Sequence, residues 1–185
     1  MKPTYNDLTT AVLTWATARN IIGDNAKGTP FAQLKKTLEE VNETRDALVF
    51  ADAAQRMTGQ VSSAELNEIK DGIGDVVVTL IIGGQMQEWV PQPQIELTTD
   101  KSNLDLMDEV AELVLETALI FRPTYAIGIS FAQRAEQILA RLKLIASRFG
   151  WTLEECLEAA WDEIKDRKGK MVNGEFVREK TEVQP

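Results

Sequence analysis

Residues 31 to 57 carry helical periodicity without a break, and Pro30 and Gly59 bracket them. Proline suits the first turn of a helix, and glycine suits the position just past its end. That stretch commits the chain to helices, and the same period recurs on both sides of it. Leu8, Val12, Trp15 and Ile22 form one stripe over residues 5 to 22. Ser62 with Glu65 reads as a capping box opening a helix that runs to about Trp89. A fourth helix spans about 103 to 121, with Leu106, Val110, Leu113 and Val114 facing inward. A fifth spans about 130 to 149. Thr152 and Glu155 cap a sixth that reaches Lys168. Breaks fall at residues 23 to 30, at Pro91-Gln92-Pro93 in a polar linker of residues 90 to 102, and at Pro123 and Gly128. Asn173-Gly174 between two short apolar runs signals a β-hairpin. The expected fold is a single all-α domain of four-helix-bundle type over residues 1–185. It carries additional helices, a short C-terminal β-hairpin and a loose tail at 179–185.

Composition narrows the partners. The 185 residues are 44% hydrophobic and 26% charged, as in an ordinary globular domain with a sizeable core. The net charge of −9 argues against a nucleic-acid footprint, which needs a basic face. The single cysteine, Cys156, sits between Leu153 and Leu157 on a helical pattern and reads as a buried small hydrophobe in a reducing compartment. The opening Met-Lys-Pro-Thr-Tyr lacks an apolar signal core, and the apolar run from 76 to 82 is too short to span a bilayer. A cytoplasmic protein without membrane contact is expected.

Histidine is absent, yet carboxylates recur at helical spacing in two blocks: Glu39-Glu40-Val41-Asn42-Glu43, and Glu68 with Asp71 and Asp75. Residues three and four apart share a helix face. Two such faces brought together would make an all-oxygen cage, the ligand chemistry of Mg²⁺ or Mn²⁺. An acidic helix face alone means little: Glu154-Glu155-Cys156-Leu157-Glu158 repeats the pattern, and Asp108-Glu109-Val110-Ala111-Glu112 echoes it. What makes the pair specific is the short turn between its helices, which forces them antiparallel. At about 1.5 Å per residue, Glu43 lies roughly 24 Å below the turn, Glu68 about 9 Å, Asp71 about 14 Å and Asp75 about 20 Å. A straight hairpin therefore levels Asp75 with Glu43. Glu40, Glu43, Asp71 and Asp75 form the core of the expected cage, with Glu39 and Glu68 outside it. Gly72 and Gly74 beside these carboxylates serve either close helix packing or room for a ligand.

Glu39-Glu40-x-x-Glu43, followed after 24 residues by Glu68-x-x-Asp71, resembles the signature of the MazG-like all-α nucleoside triphosphate pyrophosphohydrolases of phage and bacteria. The resemblance includes Leu34-Lys35-Lys36-x-Leu38 before the first block and Ile73-Gly74-Asp75-Val76-Val77-Val78-x-Leu80 after the second. It extends to the closing stretch from Glu163 to Gly174, and it leaves residues 91–149 as an insertion. Many members have a glutamate where this chain has Gly72. The literal motif then points to Glu68 and Asp71 as metal ligands, and the alignment around Gly-Asp points to Asp75.

The resemblance implies hydrolysis of a (d)NTP between the α and β phosphates, giving a monophosphate and pyrophosphate, in nucleotide-pool cleaning or turnover. It also implies a homodimer or higher homo-oligomer. With no histidine, the base is a carboxylate or metal-bound hydroxide, with Glu40 and Glu39 as candidates. The expected metal ligands are Glu40, Glu43, Glu68, Asp71 and Asp75. Phosphate contacts are expected from Lys36, Lys165, Arg167, Lys168 and Lys170. For the nucleobase, Trp15 offers a ring that can stack, and Arg19 and Asn20 offer polar groups. The competing reading is a non-catalytic helical adaptor for a protein partner. A di-iron bundle is excluded, since it needs histidines.

Overall fold

The computed structural model describes residues 2–89, 104–121 and 130–179. Within them the chain forms α1 (Tyr5–Ala18), α2 (Pro30–Thr58), α3 (Ser63–Met86), α4 (Leu106–Leu119), α5 (Phe131–Arg148) and α6 (Leu153–Ile164). An antiparallel hairpin of β1 (Gly169–Val172) and β2 (Glu175–Arg178) follows. The fold is all-α with a short C-terminal hairpin. The linker expected around Pro91, the break at Pro123 and Gly128, and the tail beyond Glu179 lie outside the described residues.

The helix ends follow their local chemistry. Ser62 with Glu65 and Thr152 with Glu155 form the expected capping boxes, and Gly59 ends α2 in the left-handed conformation at φ 75°. Three helices stop earlier than the periodicity predicts. Asn20 adopts φ 57° and the Ile21 amide turns back to the Ala16 carbonyl, so α1 ends at Ala18. Ile21 and Ile22 then enter the core from a turn. Glu88 at φ 58° ends α3 before Trp89. α6 stops at Ile164, which places Lys165, Arg167 and Lys168 on the connection to the hairpin. Asn173 and Gly174 take φ values of 51° and 88°, the paired positive values that a tight two-residue hairpin requires.

α3 is the central helix, in contact with α1, α2, α5 and α6. Residues 76 to 84 of α3 are buried on every side, as an enclosed helix should be. Two glycines two residues apart face opposite neighbours. A Cβ at Gly72 would lie 2.8 Å from Thr44 Oγ1 on α2. One at Gly74 would overlap the Cys156 carbonyl on α6 and sit 2.7 Å from Ala160 Cβ. Both glycines therefore serve close helix approach.

α4 and α5 pack as a pair against this centre, and their seam is charged. Glu109 and Arg141, each 1% exposed, form an ion pair there. Arg141 also reaches Glu112 at 3.8 Å, and the buried Arg134 reaches Glu116 at 3.6 Å. The acidic row of α4 that echoes residues 39–43 is thus answered by arginines of α5.

Candidate active site

Four segments converge on one cavity of about 290 Å³. α2 contributes Gln33, Lys36, Glu39 and Glu40, residues spaced to share one helix face. Asp75, Val78, Thr79 and Ile82 of α3 form the opposite wall. Trp15 and Ile21 close the apolar side together with Phe176, whose ring meets Trp15 edge-on at 5.4 Å. Arg167 and Arg178 enter from the C-terminal segment.

Two contacts fix the register of α2 on α3. The Gln33 side-chain amide donates to the Thr79 carbonyl at 3.2 Å, and Thr44 fills the gap beside Gly72. Between these points Asp75 falls beside Glu40, not level with Glu43 as a straight hairpin predicts. The cause is an overhang. The last turn of α2, from Gln55 to Thr58, is exposed beyond the start of α3, so the helices are not flush at their turn.

The carboxylates are electrostatically crowded. Burial pushes the Asp75 carboxyl up to about 7, and the charges of Glu40 and Asp71 add to that shift. Burial pushes Asp71 up to about 6, with help from its hydrogen bond to Glu163. Glu43 is raised by partial burial and then by Glu40. Lys36 is the resident counter-charge. Its ammonium lies 2.6 Å from Glu40 and 3.6 Å from Glu39. Burial works to lower the Lys36 pKa, but the hydrogen bond and charge of Glu40 prevail and raise it.

A hard divalent cation fits this donor chemistry. The donors are all oxygen, and an ammonium already stands against Glu40 where positive charge is needed. Among the described residues, however, no three carboxylates are gathered around one point. Glu40 is turned onto Lys36, and Asp71 onto Glu163.

The structure brings together Glu39, Glu40, Asp75, Lys36, Arg167 and Trp15 of the expected residues. Glu43 stands outside the cavity, exposed and hydrogen-bonded to Glu40. The exposed Glu68 and the half-buried Asp71 line a separate shallow depression with Asn67, Lys70 and Glu163. Lys165 is exposed and paired with Asp162 at 2.7 Å, and Lys168 and Lys170 are exposed away from the cavity wall.

Arg19 and Asn20 do not line the cavity either. Arg19 covers the Trp15 ring at 4.5 Å and donates to the Arg167 carbonyl at 2.6 Å and 3.1 Å. It thereby satisfies a carbonyl just past α6 and holds the turn that carries Arg167. With that cation on the ring, the same face of Trp15 is closed to a base. Asn20 is a turn residue whose carbonyl accepts from the Lys27 amide. Gln33, Thr79, Phe176 and Arg178 line the cavity without belonging to the expected set. The period-two spacing of Phe176 and Arg178 after Asn-Gly carries the signal for the last two. Compared with protein-family models, curated proteins and solved structures, the chain matches none.

Proposed function

We propose that this chain is a Mg²⁺-dependent nucleoside triphosphate pyrophosphohydrolase that cleaves a (d)NTP to a (d)NMP and pyrophosphate. One observation carries the reading. Glu40 and Asp75, from two different helices, face one cavity that also holds Lys36, Arg167 and an aromatic, apolar side. Such a cavity offers a nucleotide a place for its base and cations for its phosphates, with carboxylates beside the scissile anhydride.

Glu40 and Asp75 would hold the metal, with Glu43 and Asp71 adjacent. When bound, Mg²⁺ supplies neutralisation of the phosphate charge and polarisation of the phosphorus centre. Lys36 and Arg167 bind and orient phosphate oxygens. Glu39, half-exposed on the same wall, accepts the proton of the water that attacks the α phosphorus. The α–β anhydride bond breaks as that water's oxygen bonds to phosphorus, and pyrophosphate leaves. Trp15, Phe176, Ile21 and Ile82 keep water from the base side.

The test is pyrophosphate release with Mg²⁺ over the eight common nucleotides. Turnover of at least one is expected, and Glu40→Gln and Asp75→Asn should each lower kcat by about 100-fold or more, with helical content unchanged. No turnover of any nucleotide, or full activity in both variants, removes the proposal.

A further inference from the structure

We infer, resting on the hydrolase reading, that Arg178 is a substrate contact for the two phosphates that leave as pyrophosphate. Three cations line the cavity, and two are already engaged. Lys36 is held by Glu40 and Glu39, and Arg167 by Glu163. Arg178 lies on the same wall, is exposed, and forms no ion pair among the described residues.

The tight Asn173-Gly174 turn brings Arg178 back opposite Gly169, at the base of the hairpin beside the Arg167 turn. Arg167 and Arg178 both line this one cavity. The hairpin itself is pinned. Phe176 packs on Trp15, Glu175 pairs with Lys35 at 2.9 Å, and a Cβ at Gly169 would lie 2.6 Å from Phe176 Cζ. Arg178 is thus presented from a braced strand. A planar guanidinium matches two phosphate oxygens at once, and Arg178 can do so without first giving up a carboxylate.

The experiment is steady-state hydrolysis and product inhibition with the full chain and Mg²⁺. Arg178→Ala should raise KM for the nucleoside triphosphate about tenfold and weaken inhibition by inorganic pyrophosphate by a similar factor. Inhibition by the nucleoside monophosphate product, which lacks both of these phosphates, and the thermal midpoint should move little. Arg178→Lys should recover part of the loss. An active parent chain whose Arg178→Ala variant keeps both KM and pyrophosphate inhibition overturns the role of Arg178 and leaves the hydrolase standing. A parent chain that turns over no nucleotide overturns the hydrolase, and this contact with it.

Discussion

Asp75 is ionised with difficulty because burial removes water from its carboxyl and Glu40 and Asp71 stand nearby. Its folded pKa of about 7 lies above its unfolded value near 3.9, and that of Asp71, about 6, does likewise. The folded chain therefore binds more protons than the unfolded chain between about pH 4 and pH 7. The sign follows: these groups favour folding fully below about pH 4, and that contribution is lost as the pH rises through 6 to 7. Without metal, stability should rise as the pH is lowered from 8 to 5.5, by on the order of 2 kcal/mol, most of it from Asp75 and less from the half-exposed Asp71, whose charge solvent screens. Asp75→Asn should remove most of that slope. Mg²⁺ at about 100 times its Kd should add roughly 2.7 kcal/mol at pH 8 and flatten the slope as well. Scanning calorimetry at several pH values, with and without Mg²⁺, measures all three, and a flat profile without metal would contradict the assigned crowding.

At the scale of elements, the charged seam between α4 and α5 sets the register of that pair. An apolar seam tolerates sliding; Glu109 and Arg141, enclosed together, do not. Arg141→Met alone leaves a buried carboxylate unpaired and should cost about 3 to 5 kcal/mol in chemical denaturation. Glu109→Leu combined with Arg141→Met should recover most of that loss. If the double variant is as unstable as the single one, the seam owes its stability to more than the pair. Helix ends were legible where a capping chemistry is local, as at Ser62 and Thr152. Apolar spacing overruns the helix end where a left-handed Asn20 or Glu88 stops the helix first.

At the scale of the whole molecule, no helix among the described residues is long and apolar enough to cross a membrane. The C-terminal half of α2 bears exposed apolar side chains: Val49, Phe50 at 68% and Met57 at 84%. We propose this surface as the contact of the expected homodimer, since exposed apolar residues can mark contact sites. Light scattering should give twice the chain mass, and Phe50→Asp should shift it to the mass of one chain. A parent chain with the mass of one copy would contradict the dimer.

The order of the helices, their caps, the Asn-Gly hairpin and the acidic blocks were readable from the sequence because each depends on neighbours three or four residues away. Tertiary structure alone decided which carboxylates meet. It set Asp75 beside Glu40 through the Gln33–Thr79 and Thr44–Gly72 contacts, and it left Glu68 on another surface. It also decided that Arg19 braces the Arg167 turn instead of reaching the cavity, and that Phe176 and Arg178 do reach it. The physical reason is that register between helices is a sum of long-range packing contacts, and helical spacing encodes only which residues share a face.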